Sequence, residues 1–360
     1  MNKQNPMAKK KKKEAGIVKK IAFTLLAFVA LVIGIKAYDL YKEIKSPNVQ
    51  LSGRDSDFIY IPTGSGYNDV VNILYQNKII IDKTSFEWVA KKKNYTQNVK
   101  PGRYRLKEGM SNETLVNMLR SGKQEPVKLV FNKVRIKEKF AEVIGNQIEA
   151  TPNQLMTLLN SNLFLAKYGL NRETALCMFI PNTYEFYWNT SAEEFMERMY
   201  KEYKKFWTEE RKAKAKAIGK TPEEVIILAS IVEEETNIND DKAKIARVYL
   251  NRMKKGMRLQ ACPTIKYAMG DFELQRILIK HLEFEHPYNT YLHDGLPPGP
   301  ICIPMVSSID AVLKNDKNNY LYFCAKDDFS GHHAFASTLE QHNQNAEKYQ
   351  RALNRNRIYH

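Results

Sequence analysis

Three consecutive glutamates, Glu233, Glu234 and Glu235, follow an apolar stretch at residues 225–232 that contains a single polar residue, Ser230. Carboxylates at the end of an apolar, buried helix are costly to ionise, and burial raises their pKa. A carboxyl group that keeps its proton near neutral pH can act as a general acid. The stretch therefore predicts an acid–base site.

A helix that begins at residue 221 is expected to position these carboxylates. Thr221 can cap the first turn, Pro222 suits the first helical position, and Glu224 completes a capping box. Successive residues advance by about 100°, and the residues that then share one apolar face are Val225, Leu228, Ala229 and Val232. Glu234 falls opposite this face and is predicted to be solvated. Glu233 and Glu235 flank the face, and both remain candidates.

The chain after the glutamates is expected to form a helix capped by Asn239 or Asp240 and ended by Gly256, and then loops at residues 258–264 and 295–301. A buried strand is predicted at 320–325, and another strand begins at 331. Two helices that meet at an acidic corner resemble the lysozyme-like arrangement of an acid in a cleft. The Pro-rich segment 295–301 could form the wall of a groove or cross the surface.

An apolar segment near the N-terminus has the length of a membrane span. Residues 21–35 are almost wholly apolar, and the segment extends to residue 40. Residues 1–20 form a basic tail with eight lysines and one glutamate, a net charge of +7. The positive-inside rule then predicts a cytoplasmic N-terminus and an exported body. A cleaved signal peptide is the alternative, but no small-x-small cleavage site precedes Tyr38.

The bulk composition excludes several classes of protein. The net charge is +16, but the +9 that remains after the basic tail is spread over 340 residues, so we expect no nucleic-acid partner. The four cysteines have no C-x-x-C spacing, which argues against a zinc ribbon or a thioredoxin-like site. The histidines show no tight metal-ligand spacing, so no metal is expected. Paired and free thiols both remain open.

Between the membrane segment and the acidic helix, the predicted order is a linker at 41–55, a small α+β module at 56–125 and the start of a catalytic domain at 126–350, with a tail at 351–360. The module contains strands at 58–62 and 102–106 and helices at 67–76, 83–92 and 112–121. This order looks like a LysM-type glycan-binding unit, although a spacer is the alternative. In the catalytic domain we predict a strand at 126–134, helices at 137–147, 156–165 and 191–206, and an aromatic loop at 179–186.

Several motifs in this order resemble the endolytic murein transglycosylase family (MltG, YceG-like). They are Pro101-Gly102-Arg103-Tyr104, the A-S-I-V-E-E-E-T segment at 229–236, Arg258-Leu259-Gln260, Asn289-Thr290-Tyr291, the segment at 295–301 and His333-x-Phe335. The family's catalytic glutamate immediately precedes the threonine, which implies Glu235. One departure is visible, because the family's Gln-x-Asp-Pro-Thr has Cys262 in place of the aspartate.

The resemblance implies a membrane-anchored lytic transglycosylase, a carbon–oxygen lyase that needs no cofactor. It would cleave the β-1,4 bond between N-acetylmuramic acid and N-acetylglucosamine in peptidoglycan and leave 1,6-anhydro ends. Gln260, Asn289, Tyr291 and His333 are the implied substrate contacts. The implied partners are nascent glycan strands, the cytoplasmic membrane and peptidoglycan synthases. The alternatives are a muramidase that uses water and a non-enzymatic wall-binding scaffold.

Overall fold

Helices and three short antiparallel strand pairs make up the part of the chain that the structure describes, so the predicted α+β class is confirmed. The structure is a computed structural model, and it describes residues 6–274 and 277–356. The chain divides into two compact units, one that ends at Pro126 and one that begins at Val127.

The N-terminal unit begins with one long helix, α1 (Pro6–Lys45). The part of α1 from Lys19 to Lys45 is long and apolar enough to cross a membrane, and none of its most apolar window is buried inside the protein. Exposed side chains such as Phe23 and Leu26 would be unstable in water but suit a lipid environment. Within the residues that the structure describes, the prediction of a single N-terminal apolar helix is therefore confirmed.

The small module that follows α1 has the predicted strand–helix–helix–strand–helix order. Its elements are β1 (Ser56–Ile61), α2 (Tyr67–Gln76), α3 (Lys83–Lys92), β2 (Gly102–Lys107) and α4 (Asn112–Ser121). β1 and β2 pair antiparallel, with Ile59 opposite Tyr104, and the three helices cover the resulting sheet with a core of their own. Glycan binding by this module stays a prediction.

The expected linker at residues 41–55 is wrong, because these residues belong to the module. α1 continues to Lys45, and the Asn112 side chain donates a 2.9 Å hydrogen bond to the carbonyl of Glu43 in its last turns. Beyond the helix, Val49 pairs with Ile80 and is buried in the module's core. A helix end and a core residue cannot behave as a flexible connector.

The second unit begins with a strand pair and a group of helices. Its first elements are β3 (Val127–Phe131), α5 (Lys137–Gly145), α6 (Pro152–Leu159), α7 (Asn162–Ala166), β4 (Asn182–Phe186), α8 (Ala192–Phe206) and α9 (Glu209–Ala217). The predicted single helix at 156–165 is broken, because Ser161 caps a new helix, α7. The predicted aromatic loop is also corrected. More than half of it is β4, paired with β3, and Phe179 is buried in the core against Phe195.

The remaining elements surround the acidic helix. They are α10 (Pro222–Glu235), α11 (Asn239–Lys254), α12 (Cys262–Met269), α13 (Ile279–Leu282), α14 (Val306–Leu313), β5 (Tyr322–Ala325), β6 (His333–Ala336) and α15 (Leu339–Arg355). The predicted loop at 258–264 instead runs into α12 at Cys262. Asn239 is the first residue of α11 and caps nothing. β5 is half-buried and not fully buried, and α15 runs on into the predicted tail.

Helix α10 is the centre of the second unit. The predicted capping box at Thr221 and Glu224 is present, and every residue from Val225 to Val232 is buried. Ser230, the polar exception, donates to the carbonyl of Ile227 at 2.7 Å and accepts from the amide of Ile301 at 3.0 Å. This second bond ties the end of the Pro-rich segment to α10. Ile301 also lines the cleft at the end of α10, so the end of the segment forms part of the wall of the site.

We expect the Pro-rich segment to tolerate no side chain at Gly299. A Cβ there would overlap the carbonyl oxygen of Glu173, which is backbone and cannot move aside. Gly299→Ala should therefore lower the free energy of unfolding by about 1–3 kcal/mol, measured by denaturant titration. Pro298→Ala, at an exposed position of the same segment, is the matched control and should change little. Equal losses of stability in the two variants would contradict the close contact between Gly299 and the carbonyl oxygen of Glu173.

Candidate active site

A cleft of about 580 Å³ lies at the C-terminal end of α10 and has Glu235 in its wall. The loop after β3, helix α12 and the start of β6 supply other walls. Glu233 and Glu234 also line the cleft, so the helix end brings all three glutamates to one place. The three carboxyl groups have different hydrogen-bond and ion-pair partners, and these give them different chemical roles.

Glu235 is the carboxyl group whose environment favours a retained proton. Its pKa is raised to about 7, because burial and the charge of Glu234, which raise it, outweigh the hydrogen bond from Tyr249 and the charge of Lys266, which lower it. Glu235 is also the last residue of α10, where the negative end of the helix dipole disfavours an anion. A carboxyl group with such a pKa can both donate and accept a proton near neutral pH.

Tyr249 of α11 orients this carboxyl group. Its Oη lies 2.5 Å from Glu235 Oε1 and donates to it. Burial raises the pKa of Tyr249 well above its usual value, so the phenol stays protonated and remains a donor. One carboxyl oxygen is thus held, which leaves Oε2 of Glu235 to act on a substrate. No pattern in the sequence indicated this contact.

Glu234 was predicted to be solvated, and the structure corrects this. Arg135 donates to both of its carboxyl oxygens at 3.1 and 3.0 Å, and Lys133 Nζ lies 3.0 Å from Oε1. Burial alone would raise the pKa of Glu234, but these two cations lower it overall. Glu234 is therefore an ionised carboxylate held in an ion-pair cluster at the cleft wall.

Glu233 is committed to a buried ion pair. Lys242 Nζ lies 3.1 Å from its Oε2, and Ser308 Oγ donates to the same oxygen at 2.5 Å. Only 5% of Glu233 and 4% of Lys242 is exposed to solvent. The contacts join α10, α11 and α14, which indicates a structural role for Glu233. Of the two candidates that the helix periodicity left open, the structure favours Glu235.

A second cavity, of about 350 Å³, lies on the other side of Glu235. Glu235 and Cys262 line both cavities, so they mark the boundary between them. Gln260 and Tyr291, two of the expected substrate contacts, line this second cavity. Gln260 accepts a hydrogen bond from Arg252, and Tyr291 Oη lies 3.2 Å from Cys262 Sγ.

The expected contact Asn289 lies away from both cavities. It is fully buried, its amide donates to the carbonyls of Leu282 and Phe284, and its Oδ1 accepts from the amide of Tyr291. All of its hydrogen-bonding groups face its own loop. Asn289 therefore holds the loop that presents Tyr291, and the expectation of a direct cleft contact is wrong.

His333 lies in the wall of the main cleft, as expected. Its Nδ1 and its backbone amide lie 3.1 and 2.8 Å from Asp241 Oδ2, so a buried aspartate fixes the ring. His332 Nδ1 lies 3.4 Å from the other oxygen of Asp241. Burial would raise the pKa of Asp241, but the hydrogen bonds from His333 and His332 lower it overall. Sequence reasoning missed Asp241.

The cysteines are free thiols, which answers the question that spacing left open. Cys262, which stands where the resemblance predicts aspartate, is exposed at the boundary of the two cavities. Desolvation by the surrounding side chains raises the pKa of the Cys262 thiol overall, although the hydrogen bond with Tyr291 lowers it, so the thiol is neutral at physiological pH. A neutral group therefore lies beside Glu235 at the position where the resemblance implies a negative charge.

We expect Tyr249→Phe to change the pH profile of the reaction. The hydrogen bond from Tyr249 lowers the pKa of Glu235, so loss of this bond should raise that pKa. The basic limb of the pH profile should then move upward from about pH 7. The value of kcat should fall about tenfold, since a hydrogen bond to a carboxylate is worth about 1.5 kcal/mol. Rates measured across pH test both effects. Tyr267→Phe, which alters another tyrosine of the cleft, should leave the limb in place, and a shared shift would contradict this role.

Comparison with known proteins agrees with this arrangement. Residues 59–348 match the model of the YceG-like family. A Bacillus subtilis protein named endolytic murein transglycosylase is 31% identical, over 89% of this chain and 91% of that protein. A Streptococcus pneumoniae protein of the same name is 28% identical over 92% of this chain, which spans 65% of that longer protein.

A solved structure shows the same relationship. The crystal structure of a yceG-like protein from Listeria monocytogenes is 31% identical and superposes with a TM-score of 0.55, over 81% of this chain and 98% of that one. The family match covers both the small module and the unit that contains Glu235. On these matches, the chain belongs to the YceG-like family.

Proposed function

We propose that this chain is a peptidoglycan lytic transglycosylase with Glu235 as its single acid–base group. The observation that carries the proposal is that the three glutamates have different surroundings. Glu233 and Glu234 are held by cations, whereas Glu235 has a raised pKa, and none of the residues that the structure describes donates a hydrogen bond to its Oε2. The relatives named endolytic murein transglycosylase support the substrate class.

In the proposed reaction, protonated Glu235 gives its proton to the oxygen that links the muramic acid C1 to the next glucosamine. The C1–O bond breaks, and the glucosamine leaves with a new hydroxyl group. The muramic C6 hydroxyl then attacks C1, and Glu235 takes the proton of that hydroxyl. The product carries a 1,6-anhydro ring, and the enzyme regains its starting state. One carboxyl group serves as acid and then as base, which suits a pKa of about 7.

Hydrolysis by a muramidase is the rival reaction. Glycosidases that use water or a covalent intermediate generally need a second carboxylate about 5–10 Å from the first. Within the described residues, the acids that line the main cleft are the three glutamates, and two of them are paired with cations. Mass spectrometry of murein digested by the full chain distinguishes the reactions. Ends lighter by one water support transglycosylation, and reducing muramic ends would refute it.

We further propose that substrate binds across both cavities, with the cleaved bond at Glu235. Gln260 and Tyr291 would contact the sugar on one side, and His333 the sugar on the other. The assignment is supported by the lining of the cavities, because His333 lines the main cleft whereas Gln260 and Tyr291 line the second cavity. Asn289 acts indirectly, through the position of Tyr291.

The anchoring helix and the small module suggest where the enzyme works. We propose that α1 crosses the cytoplasmic membrane once, with the basic N-terminus in the cytoplasm, and that the second unit acts on nascent strands on the periplasmic or extracytoplasmic side. The lysine-rich tail and the lipid-suited surface of α1 support this orientation. Termination of strand elongation, glycan binding by the module and association with peptidoglycan synthases are further parts of the proposal.

A non-enzymatic scaffold is the rival from a different class. A scaffold would need the fold and the anchor but not the acid, so Glu235→Gln would complement a deletion strain as well as the unaltered chain. The proposed function predicts that this variant fails to complement although it is produced at normal levels and reaches the membrane.

A further inference from the structure

The small module carries apolar side chains close to the point where α1 leaves the apolar segment. A cavity beside α1 is lined by Lys36, Asp39 and Leu40 of the helix and by Ile81 and Trp88 of the module. Ile81 is 62% exposed, whereas Trp88 is partly buried against the module's core and shows the rest of its side chain to the cavity. Lys92 Nζ lies 5.6 Å from the centroid of the Trp88 ring. The catalytic mechanism uses none of these residues.

The length of the apolar segment places this cavity at the edge of the bilayer. A hydrocarbon core of about 30 Å takes about 20 helical residues at 1.5 Å each. Counted from Ile21, the core ends near Leu40, and the first charged residue after the apolar run is Lys36. These are the α1 residues that share the cavity with Ile81 and Trp88. Tryptophan and long lysines are the side chains that favour this interface.

The junction between α1 and the module is rigid. The face that carries Ile81 and Trp88 therefore keeps a fixed orientation relative to α1. The Asn112 side chain bonds to the carbonyl of Glu43 at 2.9 Å and to Asn48 at 2.6 Å. Lys45 forms an ion pair with Glu113, and Ile44 packs against the module's core. The end of α1 and the module therefore move as one body, and an anchored helix fixes which face of the module is turned to the lipid.

We propose that the module rests on the outer surface of the membrane, with Ile81 and Trp88 inserted at the level of the lipid glycerol groups. The occupant of the cavity is thus the bilayer interface itself. The cavity mixes Lys36 and Lys42 with Asp39, Glu43 and Asp82, so attraction to anionic lipids contributes little. Apolar and aromatic insertion stabilises the contact, which should be similar in neutral and anionic membranes. This inference rests on the proposed anchoring by α1.

Quenching by brominated lipids tests the contact. The full chain is reconstituted into phosphatidylcholine vesicles with bromines near the headgroup end or near the methyl end of the acyl chains. Bromines near the headgroup end should quench part of the tryptophan emission, and Trp88→Phe should remove that quenching. Trp188→Phe, the matched control, should retain it. Phosphatidylglycerol vesicles should give the same result. Quenching that persists in Trp88→Phe, or that needs anionic lipid, would overturn the proposal.

A second measurement tests the same contact without the Trp88→Phe variant, in case that variant does not fold. A nitroxide is attached to a cysteine at Ile81 or at Tyr75, which have similar exposures of 62% and 56%, after Cys262 and Cys324 are changed to serine. The label at 81 should collide with oxygen in the membrane, and the label at 75 with a water-soluble nickel chelate. Equal access to the chelate would overturn the contact. Flotation with vesicles tests anchoring separately, and murein cleavage tests the enzyme.

Discussion

Glu235→Gln is expected to lower kcat for murein cleavage by about 10²–10⁴-fold, the contribution typical of general acid–base catalysis. Glutamine keeps the shape of the side chain and can still accept the hydrogen bond from Tyr249, but it cannot donate or take up the reacting proton. The rate of anhydro-end formation by the full chain measures the loss. A variant that retains more than a tenth of the activity would show that Glu235 is not the acid.

The same substitution should stabilise the protein at neutral pH. The pKa of Glu235 is raised from 4.5 to about 7 in the folded state, so the folded state binds the proton more tightly than the unfolded state. The stability associated with this proton is complete below about pH 4.5 and is lost as the pH rises through about 7. Glu235→Gln should therefore raise Tm above pH 7 and leave it almost unchanged in acid. A lower Tm above pH 7 would contradict the assigned environment of the carboxyl group.

Lys242→Met is expected to lower the free energy of unfolding by about 3–5 kcal/mol, because it leaves the Glu233 carboxylate buried without its cation. Denaturant titration near neutral pH measures this loss. The double variant Glu233→Gln with Lys242→Met removes both charges and should recover much of the stability. If the double variant is no more stable than Lys242→Met alone, the pair is not coupled as the structure indicates.

Glu233→Gln separates the structural role from the catalytic one. It should destabilise the fold, since Lys242 then lacks its partner, but the activity per folded molecule should stay close to that of the unaltered chain. Glu235→Gln should show the opposite combination, with a stable fold and little activity. If Glu233→Gln loses activity but keeps full stability, the assignment of the acid to Glu235 is wrong.

The helix that carries the acid could be predicted from local signals alone. The capping residues lie within four positions of one another, and the apolar run is continuous, so the bounds of α10 differ little from those expected. The different roles of the three glutamates could not be predicted from this helix alone, because residues of other elements determine them. A helical projection shows which face is apolar, but Arg135, which holds Glu234, lies 99 residues away in sequence. Tyr249 likewise reaches Glu235 from another helix.

Predictions for loops and connectors failed for a related reason. Residues 41–55 are polar enough to resemble a linker, but Val49 enters the core of the module through pairing with Ile80. Asn289 belongs to a motif of the family, and motif membership does not distinguish a side chain that contacts substrate from one that holds a loop. In both cases tertiary contacts decide the role, and a single sequence does not contain them.

The most direct test of the mechanism is digestion of murein by the full chain in water enriched in heavy oxygen. If the muramic C6 hydroxyl attacks C1, the new ends are 1,6-anhydro rings and carry no heavy oxygen. The account predicts unlabelled anhydro ends from the unaltered chain and none from Glu235→Gln. Heavy oxygen at C1 of new reducing ends would show that water attacks, and it would contradict the assignment of one acid–base glutamate and an internal nucleophile.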